Sequence, residues 1–265
     1  MKINKVDYGH RAIMYSTTTD PYQVIRNSNP KIQKTLNEYQ RATIRRSLEM
    51  IRDESNLNVR ILTRSPLSRL DFDIYKTFSN RLLFGMSLPT LNQKILSNYE
   101  PNAPHASSRL STLKEAAKRG IPLYVAMAPT FPECNKADLK QTMEAIRALN
   151  PITVFHEPIN VRGPNEIRIF EAAKIARKSG FEVNLDIWDP KKTSEERALK
   201  WADYAMEQMT MVEQIANDLS MSDVLHLWPD SRLSTKKISN HLKIKYPNHR
   251  EWILKWHQLK SNWPS

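Results

Sequence analysis

Short apolar runs alternate with longer helical patterns along most of the chain, and this alternation constrains the fold more than any other feature. The apolar runs cover residues 11–16, 59–65, 81–87, 122–127, 152–157 and 182–188. Each run is nearly continuous in apolar residues, as is typical of strands that are buried on both faces of a parallel sheet. The sequence therefore predicts buried strands at these positions.

Amphipathic helical patterns fill the intervals at residues 30–52, 107–119, 136–149 and 164–179. Gly120 and Gly180 directly follow two of these patterns, where the left-handed residue after a helix end favours glycine. Strands that alternate with helices pair in parallel through right-handed crossovers. The number of such units favours a barrel or partial barrel over a doubly wound sheet, and the sequence contains no glycine-rich phosphate loop.

The pattern changes near residue 191. Residues 194–219 form one long helical pattern, in which we interpret Met206, Met209 and Met211 as core packing. Residues 221–265 hold four of the six tryptophans and many lysines. We therefore divide the chain into a β/α part, residues 1–190, and a helical, basic, Trp-rich extension, residues 191–265, that packs on it.

The composition limits the compartment and the partners. A net charge of +12 indicates an anionic partner such as nucleic acid. The single cysteine, Cys134, excludes an intrachain disulfide, and no run approaches the ~18 apolar residues of a membrane helix. The first residues lack the apolar segment of a signal peptide. The sequence predicts a cytoplasmic protein with no membrane partner.

Polar residues follow the predicted strands. In barrels of parallel strands, ligand-binding residues collect where strands end and loops begin. Here these ends carry hydroxyls, carboxylates and one guanidinium, that of Arg64. Capping of the next helix explains any single one of them, but the set predicts a site for a polar ligand.

Five segments occur in a recognisable order: STTTDPYQ (16–23), LTRSPL (62–67), GMSLPT (85–90), YEPNAPHASSRL (99–110) and GIPLYVAMAPTFP (120–132). Together they resemble the radical S-adenosylmethionine enzymes, in the branch similar to spore photoproduct lyase. The resemblance implies a partial (β/α)6 TIM-like barrel that lacks its first strand, with the helical extension at its C-terminus. It also implies a lyase related to DNA repair, with S-adenosylmethionine and a [4Fe–4S] cluster as cofactors.

The resemblance also implies the residues that bind S-adenosylmethionine. These are Ser16, Thr17, Thr19, Asp20, Arg64, Ser87 and Arg109. Arg64 stands where the family usually has lysine and would hold the ligand's carboxylate, with a different reach and geometry. Arg109 would point toward the pocket or brace it.

The family's CxxxCxxC loop supplies three thiolates to the cluster, and a chain whose only cysteine is Cys134 cannot supply them. Three explanations stay open: a truncated reading frame, one half of a split protein whose partner chain carries the cysteines, or a cluster-free relative. We predict that the chain alone does not perform the family's chemistry. The strand-end pair His156 and Glu157 is interpreted as structural rather than metal-binding.

An alternative function comes from residues 236–260, where lysines alternate with Tyr246, Trp252 and Trp256. Such interleaving suits nucleic acid, so the chain would be a cluster-free nucleic-acid-binding or assembly module. The spacing of Trp252, Ile253, Trp256 and Leu259 favours instead an amphipathic helix facing the core. Residues 225–230 are predicted to be a joint with Trp228 buried.

Overall fold

The computed structural model describes residues 11–15, 19–160, 165–178, 180 and 187–261. Its strands are β1 (Ala12–Tyr15), β2 (Asn58–Thr63), β3 (Leu82–Ser87), β4 (Leu123–Thr130), β5 (Thr153–Pro158) and β6 (Leu225–Leu227). Every pairing between them is parallel, and their order in the sheet follows their order in the chain. The predicted parallel α/β architecture is confirmed; closure into a partial barrel stays a prediction.

The α-helices of the described residues are α1 (Pro30–Glu54), α2 (Phe72–Lys76), α3 (Gln93–Tyr99), α4 (Ala106–Lys118), α5 (Lys136–Arg147), α6 (Asn165–Lys178), α7 (Ser194–Asp218), α8 (Lys236–Lys245) and α9 (His249–Ser261). Local sequence sets their ends. Asn29 caps α1 ahead of Pro30, and Thr193 forms a capping box with Glu196 at α7. Gly120, after α4, has the predicted positive φ, +70°. None of the described helices is long and apolar enough to cross a membrane.

The last strand of the sheet comes from a segment that the sequence did not identify as a strand. Most of the predicted strand 182–188 lies outside the described residues. β6 forms instead within the predicted joint and pairs with β5. The prediction that Trp228 is buried is wrong: it is half-buried, and its ring meets Phe155 edge-on at 5.1 Å. The segment after residue 191 thus adds a strand as well as helices; the domain division at residue 190 stays a prediction.

The C-terminal helices pack through their apolar faces. Met206 and Met209 are fully buried and Met211 partly so, which confirms their interpretation as core. On α9, Ile253 and Trp256 are buried. Burial of such side chains contributes about 1.5–3 kcal/mol each, so these helices are held mainly by apolar contacts.

Candidate ligand-binding site

A cavity of about 700 Å³ lies at the carboxyl ends of β2 to β5. Its apolar walls include Leu62, Tyr99, Ala126, Phe131 and Phe155. Its polar lining includes Arg64, Ser87, Asn98, Glu100, Glu157 and Asn160. Of the predicted site residues, the structure therefore brings Arg64 and Ser87 to one cavity.

Glu100, which follows α3, links two of the predicted residues. Its Oε1 accepts a hydrogen bond from Arg64 Nε at 3.0 Å, and its Oε2 accepts one from Arg109 Nη2 at 2.5 Å. The Arg64 side chain is 40% exposed, and its two terminal nitrogens make no hydrogen bond to any described residue. The cavity wall thus presents a guanidinium beside a carboxylate. Glu100 lies in the YEPNAP segment, yet its role was not predicted, because its partners are the residue that follows β2 and a residue of α4.

Arg109 braces this wall from behind. It is fully buried in α4, where Nε donates to the carbonyl of Pro104 at 2.9 Å and Nη1 to that of Ser87 at 3.1 Å. Burial lowers the pKa of its guanidinium, while Glu100 opposes that shift. Arg109 therefore ties α4 to the end of β3 and holds Glu100 in place.

Ser87, at the end of β3, is 2% exposed and lies against β4. Its hydroxyl donates to the carbonyl of Ala128 at 2.9 Å. A hydroxyl oxygen that has donated its proton still has lone pairs to accept a hydrogen bond. Ser87 can therefore serve a ligand as an acceptor, and its predicted contact with S-adenosylmethionine stays a prediction.

Asp20 fixes the backbone beneath Arg64. Its carboxylate accepts hydrogen bonds from Thr63 Oγ1 at 2.6 Å, from Arg64 N at 2.7 Å and from Tyr22 N at 2.9 Å. These bonds join the loop before α1 to the end of β2, so Asp20 positions Arg64. A direct contact between Asp20 and a ligand stays a prediction.

The remaining predicted residues lie apart from the cavity or outside the described chain. Thr19 is exposed and borders a separate groove beside α1. Ser16 and Thr17 lie outside the described residues.

The residues present do not fit an iron–sulfur cluster. Cys134 is buried, and burial raises the pKa of its thiol to about 12, whereas cluster ligands are thiolates. His156 is buried too, with Nε2 3.0 Å from Thr130 Oγ1, and burial lowers its pKa to about 3. Across the described ranges, no three His, Cys, Asp or Glu side chains come together to hold a metal.

Acidic residues of α7 face the basic C-terminal helices. His241 lies 2.8 Å from Asp203, Lys255 Nζ lies 2.7 Å from Glu213, and Lys237 pairs with Glu195. Trp256 is buried. Several cations and rings that the sequence assigned to nucleic acid are thus engaged within the protein, and binding of nucleic acid by this segment stays a prediction.

No family model matches the chain. An uncharacterized protein of Acidianus two-tailed virus is 29% identical over 184 residues, which are 65% of this chain and 56% of that protein. An uncharacterized protein of Methanocaldococcus jannaschii is 26% identical over 135 residues, 48% of this chain and 50% of that protein. The chain spans about half the length of the curated relatives it matches.

Among solved structures, the chain is similar to spore photoproduct lyase. One such structure is a complex with dinucleoside spore photoproduct, with 13% identity and a TM-score of 0.48. Another contains bound AdoMet as well, with the same identity and TM-score. Each match covers 72% of this chain and 56% of the lyase.

Proposed function

We propose that the chain is a radical S-adenosylmethionine-type protein resembling spore photoproduct lyase, and that its cavity binds S-adenosylmethionine. The observation that carries the proposal is the pairing of Arg64 with Glu100 on the wall of an otherwise largely apolar cavity. A guanidinium suits the ligand's carboxylate, and a carboxylate suits its ammonium group. The apolar walls suit its adenine and thioether parts. The five ordered segments support the same assignment.

The chain's own residues would bind and orient the ligand. Arg64 would hold the carboxylate and Glu100 would accept from the ammonium group. Arg109 and Asp20 would keep these two side chains in place from outside the cavity. Bound to a reduced cluster, S-adenosylmethionine supplies a carbon radical in this family. Since the described residues do not fit a cluster, we assign no radical step to this chain alone; the cluster segment would have to come from a longer form of the protein or from a partner chain.

A DNA lesion is the substrate that the resemblance suggests, and a DNA-repair role is part of the proposal. The net charge of +12 supports an anionic substrate. The same charge supports the second candidate, a cluster-free nucleic-acid-binding module. That candidate predicts DNA binding that weakens steeply with salt, without affinity for S-adenosylmethionine.

Calorimetry on the full chain without iron tests the first proposal. We expect wild type to bind S-adenosylmethionine and Arg64→Ala to bind it at least about tenfold more weakly, since a charge-assisted hydrogen bond contributes about 1.5–3 kcal/mol. Arg119→Ala is the matched control, because Arg119 directly follows α4, is 45% exposed and pairs with Glu115. Decarboxylated S-adenosylmethionine should bind Arg64→Ala and wild type equally.

Two results would contradict the proposal. One is the absence of binding to wild type at millimolar ligand. The other is a loss of affinity in Arg64→Ala that is as large for the decarboxylated ligand as for S-adenosylmethionine. That result would mean that the substitution damages the cavity rather than removing a partner of the ligand's carboxylate. Salt-sensitive DNA binding in a chain without affinity for S-adenosylmethionine would support the second candidate.

A further inference from the structure

Among the residues that the structure describes, the strand β1 is an edge of the sheet, and it carries exposed side chains on both of its faces. In the described part of the chain it pairs with β2 alone. Ile13 and Met14 point to opposite faces, and they are 36% and 43% exposed. Parallel strands are almost always covered on both faces, so β1 lacks part of the cover that such strands normally have.

No strand among the described residues pairs with the outer side of β1. Asn58 N donates to the carbonyl of Arg11 at 3.0 Å, so the peptide groups of Arg11 face β2. Because these groups alternate in direction along a strand, those of Ala12 and Met14 face outward. An added strand would find both donors and acceptors there.

Helix α1 has a second apolar stripe that the fold does not cover. Ile44 and Leu48 lie on the face that packs against the core. Ile32, Leu36 and Tyr39 follow one another at i, i+4 and i+7 and share another face, with exposures of 48%, 37% and 73%. A helix that serves only to cover the sheet needs one such face.

The end of the open strand and one residue of the exposed stripe, Tyr39, border the same groove. Tyr15, at the end of β1, lines a groove of about 440 Å³ together with Tyr39 and Thr43 of α1. We call this region, Ala12–Tyr15 with Ile32, Leu36 and Tyr39, the β1–α1 surface. A strand followed by a helix is the unit that would cover both of its parts.

The charge around this surface argues against a second copy of the chain. Between residues 31 and 41, helix α1 carries three basic residues and one acidic residue, Glu38, and the chain as a whole carries +12. Arg11 and Arg26, which flank the surface in sequence, are exposed. Apposing two copies would bring like charges together, whereas an acidic partner would be attracted.

We infer that the β1–α1 surface binds a strand–helix segment of another protein: its strand adds to β1, and its acidic-flanked amphipathic helix covers Ile32, Leu36 and Tyr39. Strand addition to an exposed sheet edge is a general mode of peptide recognition, and side-chain contacts give it specificity. The inference does not depend on the ligand proposed for the cavity.

A selection experiment tests the inference without a known partner. A phage library of strand–turn–helix peptides with randomised side chains is selected against the full chain and depleted against Leu36→Glu/Tyr39→Glu. We expect enriched peptides to combine an apolar helix stripe with flanking Asp and Glu. One enriched peptide, made synthetically, should slow hydrogen exchange of the Ala12 and Met14 amides.

Two variants localise the contact. Met14→Pro removes an outward-facing amide at a sheet edge, where proline is tolerated, so the fold should be kept. We expect this variant to bind the peptide at least about tenfold more weakly than wild type does. Ile244→Glu is the control, because Ile244 is 80% exposed on α8, and it should bind as wild type does.

Three results would overturn the inference. The first is a selection that enriches no peptide over the depleting variant. The second is slow exchange of the Ala12 and Met14 amides in the free monomer, which would mean that another part of the same chain covers the edge. The third is a dimer in sedimentation that Leu36→Glu dissociates, which would make a second copy the occupant.

Discussion

The carboxylate of Glu100 lies between a buried arginine and an exposed one, and its Oε2 is 2.5 Å from Nη2 of Arg109. Removing a buried partner leaves the other charge uncompensated, whereas an exposed ion pair contributes little. We therefore expect Arg109→Met to lower the free energy of unfolding by about 3 kcal/mol and Arg64→Ala to lower it by less than about 1 kcal/mol. Urea denaturation of both variants measures this difference. Equal losses of stability in the two variants would mean that the ion pair of Glu100 with the buried Arg109 contributes no more than its pair with the exposed Arg64.

Asp20 should affect ligand binding from outside the cavity. Asp20→Ala removes the acceptor for the backbone N–H of Arg64 and for the hydroxyl of Thr63. We expect its affinity for S-adenosylmethionine to fall about as far as that of Arg64→Ala, with no change for the decarboxylated ligand. Calorimetry on the two ligands measures this, and Val24→Ala is the neighbouring control, because Val24 is 56% exposed. Wild-type affinity in Asp20→Ala would show that the end of β2 is positioned without it.

His156 should make the protein less stable in acid. Its pKa is about 3 in the folded chain against an ordinary value of 6.5, because the imidazole is buried. The unfolded chain therefore takes up a proton in a range where the folded chain does not. Stability falls as the pH drops from about 6.5 toward 3, by up to about 1.4 kcal/mol per pH unit from this residue.

Urea denaturation at pH 7 and pH 5 measures this effect. His156→Asn, which keeps a hydrogen-bonding side chain beside Thr130, should lose this part of the pH dependence. His105→Asn, which changes an exposed histidine, should keep it. A wild-type pH dependence in His156→Asn would assign the acid sensitivity to other groups.

Gly85 should not tolerate a side chain. It lies opposite Tyr124 in the β3–β4 ladder, and a Cβ at residue 85 would overlap the tyrosine ring. Because that ring is buried, we expect Gly85→Ala to cost about 1–3 kcal/mol of stability. In a Tyr124→Leu background the same change should cost less, and thermal unfolding of the four chains gives the coupling. If the effects of Gly85→Ala and Tyr124→Leu on stability were additive, the ring of Tyr124 would have to move aside without cost.

The sequence predicted the parts of the fold that local patterns determine. Five of the described strands lie within two or three residues of the predicted runs, because buried parallel strands are recognisable from apolar continuity. Leu225–Leu227 was missed because three residues carry no periodicity. What makes this segment a strand is the neighbouring edge of β5, which a local pattern does not contain.

The candidate site was only partly predictable for the same reason. Arg64 and Ser87 were found because they end strands, and the ends of parallel strands meet at one edge of a sheet. The role of Glu100 depends on two arginines from other elements. Asp20 was predicted to bind S-adenosylmethionine, but its bonds to Thr63 and Arg64 follow from how the loop folds back on β2.

The late position of β6 has a consequence for synthesis on the ribosome. Residues 159–224 separate the end of β5 at Pro158 from the start of β6 at Leu225. While those residues are being translated, the outer edge of β5 has no partner from this strand, and an unpaired edge can join another chain. The nascent protein therefore passes through a stage at which it is open to misassembly, and a chaperone that holds it until residue 227 has emerged would raise its yield.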